Sequence, residues 1–312
     1  MKMHDKPTGS FVALITPMNE DGTIDISGFK NLIQFQQENG TSAVLIMGST
    51  GEVSMLTTDE KKQIISETSK MKSEKIKIYF GCTGNNTEST IEMVKFAKNQ
   101  GADGAIIAAP SYVCASRENI KDYVLEVCDS TDLPIGFYNN PPRINTDLHW
   151  NDLIEISKHP NMVVLKESTA RVGQVAQMCL AKPDISIMCC CSPNLGLIVP
   201  TMSLGGHGTA NMTGNIIPKE LSIISKPWEN YADATKFKDE YLKNLDILHF
   251  AYSSINPVPI KTLMRAIGLP AGPLRKPLKP ISKSSLNAGI ELLSKLSLDK
   301  SYGYKINMNK VA

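Results

Sequence analysis

The run Met162-Val163-Val164-Leu165-Lys166-Glu167-Ser168-Thr169 carries apolar residues straight into a lysine and then into a polar turn. It reads as a buried parallel strand that delivers an amine at its C-terminal end, the end at which barrel active sites are built. Low dielectric there disfavours the ammonium form. Free lysine titrates at about 10.4, so its neutral form is scarce at neutral pH unless burial enriches it. A neutral amine attacks a ketone to give a Schiff base, chemistry that needs neither a metal nor a bound cofactor. A second segment, Pro134–Tyr138 followed by Asn139-Asn140-Pro141-Pro142-Arg143, supplies a phenol and a guanidinium. The Tyr138 phenol can donate and recover a proton while carbinolamine and imine form, and Arg143 offers a planar fork for a carboxylate. In Gly48-Ser49-Thr50-Gly51-Glu52, two hydroxyls and backbone amides can hold a carboxylate or an oxyanion. Pro110-Ser111-Tyr112 adds a second phenol. Each has a plainer reading alone: a solvated strand end, a packed tyrosine, a surface arginine, a tight turn.

The elements that must position these groups follow a regular rhythm. Strands are predicted at Phe11–Ile15, Ala43–Met47, Lys77–Gly81, Gly104–Ala108, Pro134–Tyr138, Met162–Lys166, Ile185–Cys190 and Gly208–Met212. Helical patterning covers Ser27–Asn39, Thr57–Met71, Thr87–Gln100 and Arg117–Asp129 between them. Asp59 and Thr87-Glu88 stand where N-terminal caps and acidic first turns belong, and Gly40 and Gly101 where C-terminal caps do. Eight strands alternating with helices predict an α/β fold, a closed (β/α)8 barrel with right-handed crossovers. No Gly-x-Gly-x-x-Gly follows the first strand, which argues against a dinucleotide-binding sheet. After Pro218 the strand signal stops. Residues 1–218 are therefore expected to form the barrel and 219–312 a helical C-terminal extension packed on it, with a polar, loose tail from Asp299 onward.

Composition removes several classes of function. Of 312 residues 42% are hydrophobic and 21% charged, with a net charge of +2; that fills one large core and gives no field to hold nucleic acid or an anionic membrane. The short basic clusters Lys61-Lys62 and Arg275–Lys279 read as solvated surface. No segment is long and apolar enough to span a membrane, and the polar N-terminus lacks the pattern of a signal peptide. Seven cysteines, an odd number without framework spacing, fit a reduced, cytoplasmic setting. Cys189, Cys190 and Cys191 read as buried structural thiols, with a place in the pocket lining as the alternative. His149 and His159 are expected at the surface, and His207 in a structural hydrogen bond.

Several motifs in register resemble the dihydrodipicolinate synthase/N-acetylneuraminate lyase family over nearly the whole chain. They are Ile15-Thr16-Pro17, Gly48-Ser49-Thr50-Gly51-Glu52, Tyr138-Asn139-x-Pro141, Val164-Leu165-Lys166-Glu167, Gly205-Gly206-His207-Gly208, Asn256-Pro257-x-Pro259-x-Lys261 and Leu274-Arg275-x-Pro277-Leu278. The resemblance implies a lyase in which Lys166 captures the ketone of pyruvate or another 2-oxo acid and Tyr138 transfers protons beside it. It implies a hydroxyl relay of Thr50 and Tyr112, with Tyr112 lent to the neighbouring subunit's site in a tight dimer, and a homo-oligomer that is a dimer or a tetramer. Ser49 and Thr50 would hold the ketoacid carboxylate, Ala210 would face the Schiff base through its backbone, and Arg143 would meet a second substrate's carboxylate. Besides further copies of the chain, a small-molecule 2-oxo acid substrate is the expected partner.

Departures from the pattern bear on the second substrate. Ser49 matches the lyase branch and Arg143 the synthase branch. Cys191-Ser192-Pro193-Asn194 replaces the usual glycine/acid turn after strand 7, and Ser111 replaces the first of two adjacent tyrosines. The sequence favours condensation of pyruvate with aspartate semialdehyde. A catabolic aldolase, dehydratase or deaminase acting on a sugar acid or cyclic imino acid is the alternative, and a non-catalytic metabolite-binding relative is the alternative of another class.

Overall fold

Eight parallel strands close on themselves in chain order in a computed structural model that describes residues 4–190 and 195–308. The strands are β1 (Gly9–Ala13), β2 (Ala43–Ile46), β3 (Lys77–Gly81), β4 (Gly104–Ile107), β5 (Ile135–Asn139), β6 (Met162–Glu167), β7 (Ser186–Cys190) and β8 (Gly208–Asn211). Closure comes from β8 pairing with β1 in the register Gly9↔Gly208 to Val12↔Asn211. Each predicted strand is present, with ends shifted by at most two residues. Alternation along each strand sends Phe11, Ala13, Leu45, Tyr79, Ile106, Val164, Met188 and Ala210 into the barrel interior, as a period of two requires. Gly81 is one place where only glycine fits, because a Cβ there would lie 2.1 Å from the Met47 carbonyl oxygen.

The helices of the barrel are α1 (Ile26–Glu38), α2 (Thr58–Thr68), α3 (Thr87–Asn99), α4 (Arg117–Asp129), α5 (Pro141–Ile144), α6 (Trp150–Ser157), α7 (Val172–Ala181) and α8 (Ile198–Ser203). Their outward layer of Val, Ile and Leu forms the larger apolar cluster against the strands. Two predicted caps move upstream. Thr57, not Asp59, caps α2 in a reciprocal box with Glu60, and Asn86, not Thr87, caps α3. The cap must keep an extended backbone while its side-chain oxygen reaches the third helical N–H, which leaves Asp59 and Thr87 inside the first turn. Gly40 and Gly101 end their helices at φ +83° and +84°, the left-handed region open to glycine.

Beyond β8 the chain continues as α9 (Pro218–Ile224), α10 (Tyr231–Lys243), α11 (Leu245–Ala251), α12 (Val258–Ala266), α13 (Lys283–Lys295) and α14 (Leu298–Tyr302). These helices share one apolar cluster with Ile15, Leu32 and Val175 of the barrel. The tail is not loose as far as residue 308. Tyr302 and Tyr304 stack at 5.3 Å, the Tyr304 phenol donates to the Ile216 carbonyl, and Lys305 and Asn307 N–H groups donate to Ile267 and Ala266 at 3.0 and 2.7 Å. Aromatic area offsets the polarity that suggested a free end. Arg275 likewise leaves the solvated surface expected for its cluster. Its guanidinium bonds the Glu60 carboxylate and the carbonyls of Met55 and Gly22, and it holds Glu60 down to about 2. Among the described residues no helix is long and apolar enough to cross a membrane.

Candidate active site

The C-terminal mouth of the barrel holds a cavity of about 240 Å³. Ser49, Thr50, Tyr138, Arg143, Lys166 and Ala210 all line it, six of the seven residues expected at the site. Lys166 and Tyr138 are register partners on β6 and β5, so adjacent strands place them side by side. The Lys166 Nζ lies 4.0 Å from the Tyr138 ring centroid, over the electron-rich face, and the lysine is only 3% exposed. Ala210, opposite Cys190 in the β7–β8 register, faces inward on the far wall. Ser49 and Thr50 sit in a single 3-10 turn, Ser49–Gly51, which ends at Glu52 with a left-handed φ of 57°. Thr16 Oγ1 donates to the Gly51 carbonyl at 2.6 Å and ties that turn to the end of β1. Arg143 lies at the exposed rim, in the last turn of α5.

Tyr112 is the residue that this chain does not bring to its own cavity. It stands 99% exposed at φ 75°, in a loop with the exposed Val113 and Cys114. Two of the three consecutive cysteines face opposite ways. Cys189 turns outward into the helix layer, whereas Cys190 turns inward, lines the cavity and places its sulfur 3.4 Å from the Tyr138 hydroxyl. A strand alternates its side chains, so one of two neighbouring thiols must face the barrel interior. Cys191 and the turn through Asn194 lie outside the described residues. His149 is exposed, His159 bonds Asp129 at 3.0 Å, and His207 Nδ1 accepts from the Ile187 N–H at 3.1 Å.

The phenol of Tyr138 is also engaged by Asn140, whose Nδ2 donates to it, and by Ser168. Burial pushes that phenol well above its ordinary value, the Cys190 thiol adds to the rise, and Arg143 opposes it. The group therefore holds its proton and is set up as a donor. Cys190 was read as a structural thiol, and Asn140 and the rim formed by Tyr252, Ser254, Ile255 and Asn256 had no role assigned from sequence. Of these only Asn256 left a signal, as the first residue of the Asn256–Lys261 motif.

Behind the strand, Glu167 points away from Lys166 and is fully buried. Its carboxyl accepts from Asn139 Nδ2, the Ser168 and Thr169 N–H groups and Gln174 Nε2, at 2.7 to 3.2 Å. Burial pushes it up to about 7, opposed by those donors and reinforced by Asp147. A carboxyl raised in this way keeps its proton in the folded chain after the unfolded chain, near 4.5, has lost it. Stability therefore declines as pH rises from about 4.5 to 7, by about 3 kcal/mol in all, and is flat beyond. Denaturant titrations across that range are expected to show this slope in the wild type and to lose that share of it in Glu167→Gln.

Fold and site together define a barrel lyase of the Schiff-base-forming class. The chain belongs to the dihydrodipicolinate synthetase family, whose model matches residues 6–296. A 4-hydroxy-tetrahydrodipicolinate synthase of Sulfurihydrogenibium sp. (strain YO3AOP1) is 34% identical over 297 residues, 94% of this chain and 99% of that one. Among solved structures, dihydrodipicolinate synthase from Aquifex aeolicus superposes with a TM-score of 0.87 at 28% identity, covering 93% of this chain and 98% of that one. The chloride-inhibited dihydrodipicolinate synthase from Acinetobacter baumannii, complexed with pyruvate, gives 0.84 at 27%, covering 93% and 99%.

Proposed function

We propose that this protein condenses pyruvate with aspartate semialdehyde through a Schiff base on Lys166, the reaction of a 4-hydroxy-tetrahydrodipicolinate synthase. The observation that carries the reading is the Lys166 amine 4.0 Å over the Tyr138 ring, in a cavity that also holds the Ser49–Thr50 hydroxyls and the Arg143 guanidinium. In this reading Ser49 and Thr50 hold the pyruvate carboxylate while the Lys166 amine adds to the ketone carbon. Tyr138 gives its proton to the carbinolamine oxygen, and water leaves as the imine forms. Loss of a C3 proton gives an enamine, with the imine nitrogen as electron sink. The enamine carbon adds to the aldehyde of the second substrate, whose carboxylate Arg143 meets at the rim. The amine of that substrate then attacks the imine carbon, closes the ring and releases Lys166.

Tyr112, carried by an exposed loop, fits a proton relay with Thr50 in the cavity of a second copy. That reading calls for a dimer or tetramer in solution, which sedimentation would register. A catabolic reaction on another 2-oxo acid is the second reading, favoured by Cys191-Ser192-Pro193-Asn194 in place of the family's usual glycine/acid turn after strand 7.

The test is intact mass after borohydride reduction with pyruvate, followed by turnover with aspartate semialdehyde. Adduct plus turnover supports the synthase. Adduct without turnover moves the search to sugar-acid and imino-acid substrates, and no adduct with any 2-oxo acid ends the Schiff-base reading. Tyr138→Phe keeps the ring under the amine but removes the transferable proton. It is expected to slow adduct formation by about 10²-fold or more while leaving the adduct at Lys166, measured as trapped fraction against time.

A further inference from the structure

The turn that carries Ser49 and Thr50 is held from one distant segment by contacts of two kinds. The Asn256 Nδ2 donates to Thr50 Oγ1 at 3.1 Å and lies 3.4 Å from Ser49 Oγ. Five residues later, Lys261 Nζ meets Glu52 Oε1 at 2.5 Å, with both side chains wholly buried. The other Glu52 oxygen accepts the Arg275 N–H at 2.9 Å. Glu52 is a non-glycine residue with a left-handed backbone, a conformation that persists only where its surroundings impose it. The buried ion pair therefore fixes the frame, and the Asn256 amide acts within that frame on the hydroxyls.

A hydroxyl has one hydrogen to give and two lone pairs. When Thr50 Oγ1 accepts from an amide, its own hydrogen turns away from that amide and is left for an acceptor in the cavity. A carboxylate is such an acceptor. Asn256 Oδ1 is buried without a partner among the described residues, so the amide serves the turn through its N–H end alone. We propose that Asn256 is a positioning residue for the 2-oxo acid carboxylate. It sets the direction in which Thr50 and Ser49 donate, and so makes the C-terminal extension part of the substrate site. This rests on the carboxylate role given above to Ser49 and Thr50.

Borohydride trapping at graded pyruvate concentrations tests it, with adduct read by intact mass. The wild type reports on the parent reading, because absence of an adduct there fails the Schiff-base assignment and not this one. Asn256→Ala is expected to raise half-saturating pyruvate about tenfold with the rate at saturation changed less than about threefold. Asn256→Asp keeps the shape but replaces the donor by a charged acceptor, which claims the Thr50 hydrogen and repels a carboxylate. Its half-saturation is expected to rise about a hundredfold at pH 8, and that excess over wild type shrinks as pH falls toward 5. A wild-type half-saturation in either variant overturns the proposal. So does an equal, pH-independent rise in both, which would mark Asn256 as packing only. Should the alanine variant fail to fold, the isosteric aspartate with its pH dependence carries the test alone.

Discussion

Lys166→Ala is expected to leave no borohydride-trappable adduct and to lower turnover by at least about 10⁴-fold, which corresponds to about 5.5 kcal/mol of lost transition-state stabilisation. The loss is chemical, because the side chain borders an existing cavity and truncation enlarges that space without opening a hole in packed core. Lys166→Arg separates two roles for the cation. A guanidinium keeps the charge over the Tyr138 ring but stays protonated and cannot form an imine. Equal loss in both variants means that the amine acts as nucleophile. Turnover retained in the arginine variant would mean that it acts only as a charge.

The second large effect falls on stability. Lys261→Met removes the cation from a pair with no solvent access and leaves the Glu52 carboxylate buried opposite a thioether. Breaking such a pair from one side costs about 3–5 kcal/mol, a large share of the stability of any domain. Burial already pushes the Lys261 ammonium down, and the Glu52 carboxylate opposes that; each charge is tolerable only beside the other. Glu52→Gln/Lys261→Met removes both charges and keeps an oxygen for the Arg275 N–H. It is expected to regain most of the loss, as apolar replacement of a whole buried pair commonly does. Denaturant midpoints of the wild type, single and double variants measure it. A single variant as stable as the wild type would mean that the unpaired Glu52 carboxylate costs nothing in its buried place.

The barrel was legible because fully buried parallel strands write themselves as short apolar runs. Met162–Leu165 and Lys77–Gly81 needed no partner to be recognised. What lies at the ends of those strands was legible for the same reason, so Lys166, Tyr138, Ser49, Thr50 and Arg143 meet in one cavity as expected, joined by Ala210, which the resemblance implied. The rim was not. Tyr252–Asn256 belongs to a helical region whose patterning says only that one face is covered, and the bond from Asn256 to Thr50 spans 206 positions. Cys190 was read with its neighbours as a structural thiol. Only the phase of β7 decides which cysteine faces the cavity, and a cysteine run carries no apolar-polar alternation from which to read that phase. Tyr112 was placed near the site by resemblance, and its exposed loop keeps it out of this chain's own cavity. The tail was misjudged because two tyrosines outweighed the polar residues around them.

The Lys261–Glu52 pair has a consequence for how the protein is made. A ribosome at about 5–20 residues per second completes β8, at Asn211, before it adds the residues that reach Lys261. For roughly 2–10 seconds, from those rates, the emerging chain holds all eight strand segments while the Glu52 carboxylate, beside the Ser49–Gly51 turn, still lacks its counter-charge. The nascent barrel must keep Glu52 hydrated until then, with the turn between β2 and α2 open to water. The mouth of the barrel thus matures last, because the counter-charge of Glu52 reaches it only from the C-terminal extension.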